Sequence, residues 1–250
     1  MPVTYSPGSS YGWRARIGLL QPTVVSDTNP FEFYLMAPPG VQLILTSLGL
    51  VETNAENYKK AMANLETPVQ RVVSRNVDAI MQSGVPPIVM NPWGFEDELR
   101  ARVAKITDAP YITDVAAALG AFRALGVTRV AMAGGFDDGT VGQITDYVSH
   151  AGVQIVGHAR VRREGDLPTL EAVYRNARQA FHKSPNAEVV WLSPASLPTV
   201  AVIADLECDL KAPVVTSAQA LLWAALNLVG IDTTEVTGYG RLFAQSWPKD

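Results

Sequence analysis

The sequence predicts an α/β protein built as two lobes, each a parallel sheet flanked by helices, with a small-molecule site between them. Three observations predict it. Short apolar runs alternate with longer amphipathic segments along most of the chain. The length, 250 residues, exceeds one minimal unit and suits two modest lobes. Two apolar runs about one lobe apart end alike, 88–90 in Asn91-Pro92 and 189–192 in Ser193-Pro194.

Strands are expected over 16–20, 41–48, 87–90, 129–133, 154–160, 189–192 and 213–215. Several are unbroken Val, Ile, Leu and Met stretches, as expected of parallel strands buried on both faces. Between them lie helix patterns. One long helix is expected over 55–82, opening after Thr53-Asn54 and ending at Ser83-Gly84. Residues 95–106 follow a Pro-Trp-Gly turn, and 115–125 open after Thr113-Asp114 and stop at Gly126. Helices over 140–151, 169–183, 199–210 and 217–228 complete the set. No Gly-, Ser- or Pro-rich linker separates the lobes. The expected division is residues 1–113 plus 217–250 against 114–216, the last helix crossing back to the first lobe.

Composition excludes several classes of function. Hydrophobic residues make up 48% and charged residues 18%, enough apolar mass for a true core. The net charge is −4 with both signs interspersed, and no basic stripe interleaved with aromatics appears. Nucleic acid and anionic membrane surfaces are therefore not expected partners. The first ten residues lack the charged and apolar regions of a signal peptide, and no apolar run approaches the ~18 residues of a membrane span. One cysteine, Cys208, cannot form an internal disulfide, which fits a reducing cytoplasm. A homo-oligomer is left open.

Familiar motifs are missing. Ala133-Gly134-Gly135-Phe136-Asp137-Asp138-Gly139 comes closest to a phosphate loop but lacks dinucleotide spacing. His150, His158 and His182 stand apart, without metal-ligand spacing, and no G-x-S-x-G elbow occurs. Chemistry without a cofactor, or plain binding, remains.

Other stretches are informative by their wording. Gly12-Trp13-Arg14-Ala15-Arg16-Ile17-Gly18-Leu19-Leu20 with Pro22, then Phe33-Tyr34 and Met36-Ala37-Pro38-Pro39-Gly40-Val41, resembles the opening of maleate cis-trans isomerases. Leu48-Gly49-Leu50 with Glu56 and Tyr58 resembles the arylmalonate decarboxylases. So do Phe122-Arg123-Ala124-Leu125-Gly126-Val127, Arg129-Val130-Ala131 and the tail Gly238-Tyr239-Gly240-Arg241-Leu242-Phe243. Both groups belong to the aspartate/glutamate racemase superfamily. The resemblance implies two Rossmann-like lobes with pseudo-twofold symmetry, an interlobe site, and action on small carboxylates without cofactor or metal. It also implies one or two cysteines at strand ends, because a thiolate suits proton transfer at carbon or attack on an alkene. Those places fall on Asn91 and Pro194, and neither is cysteine. Where relatives place Thr and Ser, this chain has Pro92-Trp93. An isomerase asparagine is replaced by Val24-Val25, and a second-lobe tyrosine by Phe136.

The candidate catalytic residues are Asn91, Ser193 and Ser196, and the candidate substrate-binding residues are Thr23, Trp93, Phe136, Pro194 and His158. Each has a plain alternative. Thr23 holds a carboxylate or closes a turn. Asn91 donates to an oxyanion or shapes an Asn-Pro turn. Trp93 walls an apolar pocket or lids a helix start. Ser196 presents a free N–H or caps a helix. His158 and Arg160 face an anion or water at a strand end. Asp137 and Asp138 favour capping over base chemistry, and Glu96 and Asp97 suit a helix's first turn. Cys208 reads as structural, and Tyr239 and Arg241 as locks on the tail. Two functions follow: a cysteine-independent lyase or isomerase of decarboxylase type, acting in the interlobe cleft on a small carboxylate with or without an aryl substituent, or a non-catalytic carboxylate-binding or regulatory protein. The loss of hydroxyl and N–H donors shifts the expected ligand toward bulkier, more apolar acids.

Overall fold

The computed structural model describes residues 10–161, 168–193 and 197–248. It contains two four-stranded parallel sheets of identical topology. The first holds β1 (Ala15–Thr23), β2 (Val41–Leu50), β3 (Ala79–Gln82) and β4 (Tyr111–Thr113) in the order β2-β1-β3-β4. The second holds β5 (Arg129–Gly134), β6 (Gln154–Arg160), β7 (Val189–Ser193) and β8 (Val214–Thr216) in the order β6-β5-β7-β8. The second sheet thus repeats the first, and both lobes are Rossmann-like.

Helices α1 (Thr28–Met36), α2 (Ala55–Ala63), α3 (Glu66–Val73), α4 (Pro86–Val89), α5 (Phe95–Val103) and α6 (Asp114–Leu125) accompany the first sheet in sequence. The second is accompanied by α7 (Asp138–Ser149), α8 (Leu170–His182), α9 (Ile203–Leu210) and α10 (Ser217–Leu228). None among the described residues is long and apolar enough to cross a membrane.

Helices α6 and α10 follow the equivalent strands β4 and β8 and pack on each other. Both are apolar nearly all round, as a helix enclosed by protein must be. Ala117, Ala118, Ala121 and Phe122 of α6 and Leu222 to Leu226 of α10 are buried. Phe122 meets Trp191 of β7 edge-on, with centroids 5.6 Å apart. The tail seals this pair. Trp223 Nε1 donates to Gln245 O at 2.9 Å, and the Trp247 ring sits where a Cβ on Gly120 would fall, 2.5 Å away. Tyr239 reaches the first lobe, its hydroxyl donating to Leu35 O at 2.7 Å.

The first lobe differs from the sequence expectation in its second half. The long helix over 55–82 is α2, α3 and then β3. Residues 87–90 are not a strand: 87–89 belong to α4 and Met90 caps it. An apolar run of four is equally compatible with a buried strand and a buried helix turn. Pro86 and Pro87 decide it: neither can donate to a ladder, but both are tolerated in the first turn of a helix. Strand β4 and helix α1 were not anticipated either. The other six expected strands are present with ends shifted by at most three residues.

Candidate active site

In parallel α/β sheets, ligands bind beyond the carboxyl ends of the strands. In the first lobe those ends carry a joined polar group. Asn29, in the first turn of α1, donates its amide to Gln21 Oε1 of β1 at 2.7 Å and to Ser83 Oγ, just past β3, at 2.9 Å. Gln21 and Ser83 are buried. Asn29 thus brings an amide to the end of β1, where sequence reading found only Val24-Val25. Both valines are exposed.

The turn after β3 is Ser83-Gly84-Val85, leading into the prolines of α4. Gly84 has φ +102°, and a Cβ there would lie 2.6 Å from Pro22 Cγ, so only glycine fits. Its N–H donates to Asp114 Oδ2 at 3.1 Å. Asp114 is the first residue of α6, buried at 4% exposure. Burial pushes its pKa up to about 6, against the opposing pull of the Ser217 hydroxyl and the Gly84 N–H. Ser217 is the first residue of α10 and the topological equivalent of Asp114.

Four buried side-chain atoms among the described residues lack a hydrogen-bond partner: Asp114 Oδ1, Ser193 Oγ, Ser217 Oγ and Trp191 Nε1. Ser193 ends β7, and Asp114 and Ser217 directly follow β4 and β8, so the first three stand at carboxyl ends of strands.

Two further buried carboxyls hold the lobes together. Glu32 of α1 accepts from the Thr199 and Val200 N–H groups of the second lobe, the latter at 2.9 Å. Glu96 of α5 accepts from the Thr113 hydroxyl and, at 3.3 Å, from the Tyr147 hydroxyl of α7. Burial raises the pKa of both, and their hydrogen bonds only partly offset it.

The candidate residues distribute unevenly. Ser193 ends β7, fully buried and unpartnered. Pro194 and Ser196 lie outside the described residues. Thr23 ends β1, and its hydroxyl donates to Val25 O at 2.7 Å, closing the turn. Phe136 follows β5 and packs partly buried against the core. His158 lies on edge strand β6, with Nε2 3.1 Å from Asp138 Oδ1. Asp137 caps α7 through the Thr140 N–H at 2.8 Å.

Asn91 and Trp93 need correction of place. Because 86–89 is helical, Asn91 stands past α4 and not at a strand end, and its amide returns to Pro87 O at 2.8 Å. Trp93 stacks on His150 at 5.6 Å and tilts on Tyr147 at 5.1 Å, at the far end of α7 from its cleft-side start. It lines a separate groove of about 330 Å³ with Glu96 and Arg100. The missed residues are Gln21, Asn29, Ser83, Gly84, Asp114 and Ser217. One signal for them was present, the matching pairs Thr113-Asp114 and Thr216-Ser217.

Among the described residues, no three His, Cys, Asp or Glu side chains gather as a metal ion requires. Cys208, the one cysteine, is exposed on α9.

Comparison with known proteins places this architecture. The family model for arylmalonate decarboxylase matches residues 17–243. The arylmalonate decarboxylase of Bordetella bronchiseptica is 27% identical over 213 residues, covering 83% of this chain and 88% of its own. A crystal structure of arylmalonate decarboxylase superposes with a TM-score of 0.81 at 25% identity, over 92% of this chain and 100% of that one. The Nocardia farcinica maleate cis-trans isomerase, as a mutant with a covalently bound succinylcysteine intermediate, shares the fold. Its TM-score is 0.81 at 19% identity, with coverage of 92% and 98%. By the family match over most of its length, the chain belongs to the arylmalonate decarboxylase family.

Proposed function

We propose that this chain is a cofactor-independent decarboxylase that acts on a small aryl-substituted dicarboxylate in the interlobe cleft without using a cysteine. Membership of the family supports a decarboxylase or isomerase of small carboxylates. One observation carries the finer reading: the strand ends combine a neutral amide-hydroxyl group, Gln21-Asn29-Ser83, with an apolar turn, Val85-Pro86-Pro87.

The neutral group can hold one carboxylate by hydrogen bonds. The apolar turn has no N–H at Pro86 or Pro87 and cannot solvate a second one well. A carboxylate facing such a surface loses hydration, which favours release of uncharged carbon dioxide. The negative charge left on the α-carbon spreads into the retained carboxylate, where the same polar donors stabilise it. An aryl substituent gains roughly 25 cal/mol for each Å² of apolar area it buries. The thiol of Cys208 takes no part, being exposed on α9.

The test is carbon dioxide release from phenylmalonate, with maleate and aspartate as controls. Turnover of phenylmalonate that survives N-ethylmaleimide, with Cys208→Ser matching wild type, is the expected result. Conversion of maleate or aspartate with no release from phenylmalonate would overturn the reading, as would loss of turnover in folded C208S.

A further inference from the structure

We propose that Asp114 is the proton donor of the cleft, delivering from Oδ1 the proton that takes the place of carbon dioxide on the product carbon. The proposal rests on the decarboxylase reading above and names the group that reading leaves open.

Position comes first. Asp114 and Ser217 open α6 and α10, the two helices that follow equivalent strands and pack on each other. Two residues at equivalent places in a duplicated fold, near enough to influence each other, lie beside the axis relating the lobes. That axis runs through the interlobe cleft. Asp114 stands at the carboxyl end of β4, at the start of the helix that packs on α10. Its other oxygen is tied to the Gly84 N–H, in the turn that continues from Ser83, and Ser83 belongs to the polar group that would hold the substrate.

Hydrogen bonding comes second. Oδ2 accepts from Gly84, which leaves Oδ1 as the site for the acid proton. Oδ1 and the neighbouring Ser217 Oγ are both buried and make no hydrogen bond of normal length, although the Ser217 hydroxyl is near enough to favour the charged form of the carboxyl. A buried charged oxygen without partners is costly, whereas a protonated carboxyl there is uncharged and offers one donor. Burial favours that neutral form, and a pKa of about 6 leaves the acid strong enough to give its proton to a carbanion. Glu96 on α5 is the titratable group whose charge acts on Asp114, and its repulsion also favours the neutral form.

The step balances. The bond from the α-carbon to one carboxylate breaks, and its electron pair remains as an enediolate while carbon dioxide leaves. The α-carbon then bonds to the Oδ1 proton. Asp114 is left as a carboxylate and regains a proton from water before the next turnover.

The experiment measures carbon dioxide release from phenylmalonate between about pH 5 and 9. An essential acid makes kcat/KM level at low pH and lowers it about tenfold per unit above a break. Ser217→Ala, which removes a hydroxyl that favours the charged form, is expected to move that break upward. Folded Asp114→Asn should lose at least about 100-fold in kcat with KM changed by less than about threefold, and Asp114→Glu should recover part of it. A thermal melt checks folding of each variant. A level wild-type profile across the range, or folded D114N with kcat near wild type, would overturn the proposal and leave the decarboxylase reading standing. No release from phenylmalonate by the wild type would overturn both.

Discussion

The first turns of α6 and α10 are the same structure carrying different chemistry. In both, a threonine ends the strand and its hydroxyl caps the helix: Thr113 accepts from Ala116 N–H at 3.1 Å, Thr216 from Gln219 N–H at 3.2 Å. The second cap is closed by a capping box, in which Gln219 Oε1 accepts from the Thr216 N–H at 3.1 Å, and the Gln219 amide donates onward only to a neutral backbone oxygen, Tyr239 O at 2.6 Å. The first is wired to acids: the Thr113 hydroxyl also donates to buried Glu96, and buried Asp114 follows it. Where the first lobe has Asp114, the second has Ser217. A duplicated frame has kept its geometry and placed its buried titratable carboxyl at only one of the two cap positions.

Backbone spacing differs between the lobes as well. Leu20 faces Gln82 across β1 and β3, and the corresponding pair in the second sheet is Gly134 and Ser193. A Cβ on Gly134 would come within 2.1 Å of Ser193 O, a backbone atom that cannot yield. Gly134→Ala is therefore expected to cause the largest loss of stability, about 3 kcal/mol, or to prevent folding. Urea unfolding reads it, and a loss below about 0.5 kcal/mol would mean the strand ends are not so closely opposed.

The carboxyl of Asp114 should itself cost stability. Its folded pKa of about 6 lies above the ordinary 3.8, so between those values the folded state holds a proton that the unfolded chain has released. Stability contributed by the bound proton is full at low pH and is lost as pH rises through about 6. Asparagine cannot ionise, and its carbonyl can keep the Gly84 N–H. Asp114→Asn should accordingly stabilise the protein by about 2–3 kcal/mol at pH 8 and by little near pH 4, seen as a shift in urea midpoint. Equal stabilisation at both pH values would break the link to ionisation.

The smallest effects separate the caps themselves. Thr216→Ala removes one capping bond and should cost about 1 kcal/mol. Thr113→Ala removes the same bond and also a donor to buried Glu96, and should cost about 2 kcal/mol. Equal costs for the two variants would show that the acid wiring of the first cap adds nothing to stability.

Much of this architecture is legible in the sequence. Strand β6 falls on the expected residues, and β5 and β7 extend one residue beyond them, because Val, Ile and Ala runs bounded by helix signals have few alternatives. Thr113 and Thr216 announce their helices by side-chain chemistry that acts within one turn. Asp114 hid in the same signal, since an acid in a first turn is explained locally by the helix dipole. Asn29 hid because no helix was expected over 28–36, and its partners Gln21 and Ser83 lie 8 and 54 residues away.

What the sequence determined by itself was the class of fold, the family, and the absence of a cysteine from the expected strand ends. Those depend on periodicity, wording and residue identity. Tertiary structure alone decided that the prolines at 86 and 87 begin a helix, which moved Asn91 and Trp93 away from the strand end. It alone decided that Asp114 and Ser217 lie buried at the starts of two helices that pack on each other. The physical reason is that burial belongs to the assembled molecule. An aspartate is an ordinary helix-start acid until two lobes close around it, and only then do its lost water and unfilled oxygen make it a group that can hold and give a proton.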